Sequence, residues 1–262
     1  MDGTRAAPLA PLERAGLSLP LVVSAAVGLP MYVFARPFAR LAGLSGDEVF
    51  IYQLGGAAML GYVVAIALGL RGTRWSPMRF VVAATYGFAA VAFLGGVITF
   101  ASGIADGFVV LMTIWAVITG WVLGQILVAR RGAPAGPRTV ASWVIVVLAL
   151  ATVSAALFGL APQVAVPFAT LMGYRGTDEY VYRLAGAACF GYAVMGVLEL
   201  RSLSWDDMRL PNVMALVFNG LAAIAAVSEI LAGRATLLAV LVALAAGFFT
   251  LAIAVILVRS GR

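Results

Sequence analysis

Gly56-Ala-Ala-Met-Leu-Gly-Tyr62 is the stretch that decides the fold, because it recurs with two changes as Gly186-Ala-Ala-Cys-Phe-Gly-Tyr192. The match extends without a gap over 22–80 against 152–210, where 25 of the 59 positions are identical. Self-similarity at a fixed spacing indicates a repeated structural unit. The sequence therefore predicts a tandem duplication in which equivalent positions differ by 130.

The composition predicts that both repeats lie in a membrane. Hydrophobic residues make up 63% of the chain and charged residues 11%, whereas about 25% of residues are charged in soluble domains. Apolar runs of about 20 residues are long enough to cross a bilayer core of roughly 30 Å. Such runs occur near 18–39, 49–70, 79–101, 107–129, 142–166, 179–200, 210–232 and 236–258.

The predicted fold class is an all-α integral membrane protein with eight transmembrane helices, arranged as two parallel four-helix repeats. The repeats are parallel because an even number of crossings returns the chain to its starting side. We predict two four-helix bundles side by side, with close helix contacts along the small residues at 57 and 61 and at 187 and 191. The expected ranges are an N-terminal stub 1–17, a first repeat 18–131, a linker 132–141 and a second repeat 142–262.

The arginine distribution predicts the orientation. All 17 basic residues are arginine, and 12 of them fall on the side of both termini, which the positive-inside rule assigns to the cytoplasm. The sequence therefore predicts a multi-pass protein of the cell membrane, such as a bacterial inner membrane, with cytoplasmic termini. The pI of about 10.0 follows from arginines at helix ends and does not indicate nucleic-acid binding.

The residue inventory disfavours most membrane chemistry. The chain has no histidine, which is the usual ligand of haem and the commonest general base. It has no lysine for a Schiff base, and its one cysteine, Cys189, provides no metal-ligand pattern. We therefore predict no catalytic residue, no metal and no cofactor, and a non-catalytic role is favoured over an enzyme.

Polar residues inside the predicted helices are candidates for a ligand site, since burying them is costly unless they are paired or functional. Arg183 and Glu229 both fall in the outer third of the membrane, so an ion pair and a ligand site remain open as alternatives. Repeated tyrosines either donate hydroxyl groups into a cavity between the repeats or simply pack there. The candidate ligand-binding residues are Arg183, Asn219, Glu229, Tyr182, Tyr192 and Tyr62.

Asp178 and Glu179 open the sixth predicted helix. Negative charge at this position favours the helix dipole, which predicts a capping role. The alternative is acid-base chemistry on a lipid by a membrane enzyme.

Tyr182-Arg183-Leu-Ala-Gly186, followed by Gly191, comes after a proline-containing helix exit and before an arginine-bearing turn. This pattern resembles the DoxX-like four-helix membrane proteins, with one such bundle in each repeat, although the first repeat has Gln53 in place of the arginine. The resemblance implies an accessory role beside membrane redox or quinone-linked enzymes and supplies no catalytic residue.

Two functions follow as predictions. The first is a non-catalytic integral membrane subunit or assembly partner, whose partners are membrane lipid and other membrane protein subunits. The alternative is a transporter or binder of a small or lipid-like molecule at the interface between the two repeats.

Overall fold

The computed structural model describes residues 8–72, 74–130, 140–164, 166–173 and 178–260. Within these ranges the chain forms eight long helices and two short ones, α2 and α7. The helices are α1 Pro11–Val33, α2 Ala35–Leu41, α3 Val49–Gly72, α4 Trp75–Ala101, α5 Gly107–Ala129, α6 Ser142–Val164, α7 Val166–Leu171, α8 Glu179–Ser202, α9 Trp205–Leu231 and α10 Leu237–Ser260.

The eight long helices are long and apolar enough to cross a membrane. The prediction of an all-α membrane protein with eight spans is therefore confirmed. Most boundaries differ by a few residues from the predicted runs, because polar residues at helix ends, such as those that open α9, belong to the helix but lower local hydropathy.

The first span is displaced from its prediction of 18–39. Proline at the first helical position and a hydrogen bond of 2.8 Å from the Ala10 amide to the Glu13 carboxylate start α1 at Pro11. Residues 11–17 of the predicted stub therefore belong to this helix. The backbone leaves helical geometry at Phe34 (φ −127°, ψ 44°), and α2 follows as a separate short helix. The predicted linker lies almost wholly outside the described residues.

The prediction of two four-helix bundles side by side is wrong. The central four helices are α3 and α4 from the first half of the chain and α8 and α9 from the second half. Helix α3 packs mainly on α1 and α9, and α4 packs mainly on α5 and α8, whereas α3 and α4 touch each other little. One outer helix covers each central helix, so that α1, α5, α6 and α10 form the periphery.

Two tyrosines join α3 and α8 at the centre. The Tyr62 hydroxyl donates to the Ala188 carbonyl oxygen, and the Tyr192 hydroxyl donates to the Ala58 carbonyl oxygen, both at 2.9 Å. The two ring centroids lie 5.2 Å apart. This approach depends on Gly61 and Gly191, because a Cβ atom at either position would overlap the hydroxyl of the opposite tyrosine.

A buried polar cluster joins the starts of α4 and α9. Arg79 Nη2 lies 2.7 Å from Asp207 Oδ2. The hydroxyl group of Ser202 donates to the same oxygen at 3.0 Å, and the hydroxyl group of Ser76 donates to the other oxygen. Asp207 is therefore a buried carboxylate with a cation and two further donors.

A disulfide tests the packing of α4 against α8. A Cβ atom on Gly87 would lie 3.4 Å from the Val194 Cβ atom, which is close to the separation that a disulfide requires. We expect Gly87→Cys and Val194→Cys, combined in a Cys189→Ala background, to form a disulfide. After cleavage at a protease site introduced between 130 and 140, this disulfide should keep the two halves of the chain together. Separate migration of the halves on a non-reducing gel would contradict this packing.

Gly191→Ala should destabilise the protein by about 2 kcal/mol or more, because the added methyl group would displace the Tyr62 hydroxyl and break a buried hydrogen bond. Gly247→Ala in α10 is the matched control, since a Cβ atom there meets nothing within 4 Å. Thermal unfolding in detergent is the measurement. Equal unfolding temperatures for the two variants would show that the central contact is looser than described.

Candidate ligand-binding cleft

A cleft of about 140 Å³ lies between α6, α8, α9 and α10. Its wall on α8 runs from Tyr182 to Glu199, which is about 25 Å at ~1.5 Å per residue. The lining is mostly apolar, and α3 contributes Ile51 and Leu54. Apolar side chains of the other four elements complete it, including Val147, Leu148, Phe158, Phe168, Phe218, Val242, Phe249 and Ile253.

The seam between α6 and α10 gives the cleft a side that faces the membrane. These two outer helices both line the cleft but contact each other only sparsely. Helix α6 carries exposed apolar side chains next in sequence to its cleft-lining residues, among them Val153 and Leu157. An apolar surface of this kind is covered by lipid in a membrane protein, so this side of the cleft borders the bilayer.

The equivalent space in the first half of the chain is filled by large side chains. Trp115 is buried, and its ring centroid lies 5.2 Å from that of Phe88. The residue 130 positions after Trp115 is Ala245, which lines the cleft. Met59, which is also buried, corresponds in the same way to Cys189 in the cleft wall. Loss of side-chain volume at these two positions accounts for the opening in the second half.

Helix α9, which lines the cleft, is less buried than its counterpart α4 in the first half. Helices α4 and α9 hold equivalent places in the central group, yet 67% of the most apolar window of α4 is buried and only 28% of that of α9. Phe88 and Ala89 are buried in α4, whereas Phe218 and Asn219 are only half-buried in α9 because they face the cleft.

The end of the cleft nearest the termini carries a carboxylate. Glu199 lies in the last turn of α8 and is 2% exposed. Asn212 of α9 donates from Nδ2 to Glu199 Oε1 at 3.0 Å, and the same nitrogen lies 2.9 Å from the Met208 carbonyl oxygen. Both residues line the cleft. This end is therefore polar, whereas most of the wall is apolar.

Two other polar residues in the wall are satisfied within their own helices. Thr152 donates to the Leu148 carbonyl oxygen at 2.7 Å, and Asn219 donates to the Ala215 carbonyl oxygen at 2.8 Å. Such bonds to the preceding turn allow a polar side chain to remain inside a membrane helix. The Thr152 hydroxyl therefore needs no ligand for its donor, whereas the Asn219 amide carries a second N–H group that this bond does not use.

The structure brings together three of the six ligand-binding residues that the sequence predicts. Tyr182, Tyr192 and Asn219 line the cleft. Tyr62 lies behind Tyr192 in the central contact. The interface between the halves, where the sequence predicts a cavity, is occupied by this pair of tyrosines, and the cleft lies mainly within the second half.

Arg183 and Glu229 do not form the ion pair considered in the sequence. Arg183 is buried against α4, where Nη1 donates to Thr99 Oγ1 at 2.8 Å and Nη2 lies 3.2 Å from Glu179 Oε2. Glu229 pairs instead with Arg234, which follows it by five residues and can reach back to it (2.6 Å). Neither side chain lines the cleft.

Sequence reasoning missed Glu199 and Asn212. Glu199 stands next to Arg201 near a helix end and therefore looks like an interfacial residue. A comparison of the two halves would have indicated both residues, because Gly69 and Val82 occupy the positions in the first half that are equivalent to Glu199 and Asn212. Both changes introduce a polar group where the first half has an apolar or absent side chain.

Asp178 is the N-cap residue of α8, and its side chain holds a contact between the two halves. Its carboxylate accepts hydrogen bonds from the Ser45 amide and hydroxyl groups, from the Gly46 amide and from the Tyr52 hydroxyl, at 2.5–2.9 Å. Its side chain makes no capping hydrogen bond to α8, although both Asp178 and Glu179 lie at the start of the helix as predicted. Burial raises the pKa of Asp178, but these four hydrogen bonds outweigh burial and the net pKa lies below the ordinary value.

Comparison of the chain with models of known families, with curated proteins and with solved structures found no match. The resemblance to DoxX-like proteins therefore stays a prediction.

Asp178→Asn should lower the free energy of unfolding at pH 7 by about 1 to 2 kcal/mol, since charged acceptors form the stronger hydrogen bonds. The folded protein has the lower pKa, so this stabilisation is present above the unfolded pKa of about 3.9 and is lost as pH falls through the folded pKa. The difference between variant and wild type should therefore shrink near pH 3.

Unfolding in detergent across this pH range measures the effect of Asp178→Asn. Asp106→Asn is the control, because that exposed aspartate makes no side-chain cap to α5. A difference that persists unchanged to low pH would rule out the charge of Asp178 as its cause.

Proposed function

We propose that this chain binds an elongated, lipid-like molecule in the cleft between α6, α8, α9 and α10. The observation that supports the proposal most directly is the shape and lining of the cleft. Its wall extends about 25 Å, which approaches the thickness of a bilayer core of roughly 30 Å. Its volume is about 140 Å³, and its lining is mostly apolar.

The membrane-facing seam supports binding from the bilayer. Because α6 and α10 contact each other only sparsely, a chain-like molecule reaches the cleft without crossing water. The polar end at Glu199 and Asn212 supports an amphipathic ligand whose head lies there. An apolar body with a few placed polar groups is the usual composition of a ligand pocket.

Three further proposals concern the setting of this function. The distribution of arginine supports a location in the cell membrane, with both termini in the cytoplasm. The identities at a spacing of 130 residues, together with the reciprocal bonds of Tyr62 and Tyr192, support an origin by duplication. A role as subunit of a larger membrane complex stays a prediction.

Filling the cleft tests the binding proposal. Ala245→Trp places in the second half the side chain that fills the first half at Trp115. We expect the affinity for 1-octanol to fall at least about tenfold, which corresponds to 1.4 kcal/mol. Titration of the purified full chain, followed by native mass spectrometry, measures the bound fraction.

Leu244→Trp is the matched control for Ala245→Trp, because Leu244 is 68% exposed on the membrane side of the same helix. This variant should bind 1-octanol like the wild type. Equal binding by Ala245→Trp and the wild type would refute the cleft as the binding site.

A further inference from the structure

Glu199 differs from the other acidic side chains that the described helices hold away from the surface; Asp206 of α9 is exposed and is not among them. Asp207 pairs with Arg79, Glu13 with Arg130, Glu179 with Arg183 and Glu229 with Arg234. Across the described ranges, Glu199 has no arginine within ion-pair distance, although it is among the most buried of these carboxyl groups at 2% exposure. Its polar contact is the amide of Asn212.

A carboxyl group that is buried without a cation in a medium of low polarity is held in its neutral form. The Asn212 amide donates one N–H group to Glu199 and lies close enough to the Met208 carbonyl oxygen to donate the other. A positively charged group beside Glu199 would favour the ionised carboxylate and pair with it. Because Glu199 lines the cleft, a ligand can supply that group.

We infer that the ligand of the cleft is a single-chain amphiphile with a cationic amine head, which pairs with Glu199. This inference rests on the proposed function and assigns its chemical class. The amine lies at the end of the cleft near the termini, where α8 ends one turn later at Ser202. The alkyl chain extends along α8 toward Tyr182 and Phe168 at the other end.

The depth of Glu199 suits this arrangement. A residue in the last turn of a transmembrane helix lies near the boundary between hydrocarbon and headgroups, where the amine of an amphiphile also lies. The ligand therefore keeps its normal orientation in the bilayer when it enters between α6 and α10. Binding exchanges lipid contacts for contacts with the cleft and adds one ion pair.

Three probes with the same alkyl chain but different heads test the inference: octylammonium, 1-octanol and octanoate. Native mass spectrometry of the purified full chain at pH 7 measures the affinity of each. The wild type should bind the cation at least about tenfold more tightly than the alcohol, and the anion should bind most weakly. This order needs no variant, so the test stands even where a substitution prevents folding.

Glu199→Gln should reduce the affinity for octylammonium at least about tenfold and change that for 1-octanol by less than about threefold. Glu229→Gln is the control, because that carboxylate pairs with Arg234 outside the cleft and should leave all three affinities unchanged. An unchanged preference for the cation in Glu199→Gln would overturn the inference, as would octanoate binding as tightly as octylammonium.

The same measurements separate the two proposals. If 1-octanol binds and Ala245→Trp abolishes its binding, but the cation is not preferred, the inference fails and the proposed function stands. If none of the three probes binds to the wild type, the proposed function fails, and the inference fails with it.

Discussion

The rest of the structure depends on the paired hydrogen bonds of Tyr62 and Tyr192 across the centre of the protein. Inside a membrane no water is present to satisfy a hydroxyl group, so each tyrosine must find an acceptor within the protein. Each finds a backbone carbonyl on the opposite helix, and the glycine beside each tyrosine leaves room for the incoming ring. These contacts set the separation of α3 and α8, and the other helices pack around this pair.

The spans could be predicted from sequence, but the partners of each span could not. Hydropathy reports that a segment such as 79–101 prefers lipid to water, and this preference is the same whichever helix it packs on. Chain connectivity suggested that α3 packs on α4, since they follow each other closely, yet each packs on a helix of the other half. The small residues at 61 and 191 are present in both halves and therefore fit both arrangements.

Prediction of the site failed for a related physical reason. Arg183 and Glu229 stand out as charges in apolar helices, but each has a local partner that neutralises it. Glu199 was not among the predicted site residues, and only the fold shows that it faces a cleft. The cleft itself arises from small side chains, such as Ala245, which carry no signal until they are compared with Trp115 in the other half.

The incomplete burial of α9 has a consequence for the energetics of the folded state. Helix α9 holds a central place, yet a smaller share of its most apolar window is buried than in α4, its counterpart in the first half, and part of its surface lines the cleft. Any molecule that binds only the folded form raises its stability through mass action. If the cleft binds a lipid-like molecule as proposed, the composition of the bilayer becomes part of what determines the fold's thermal resistance.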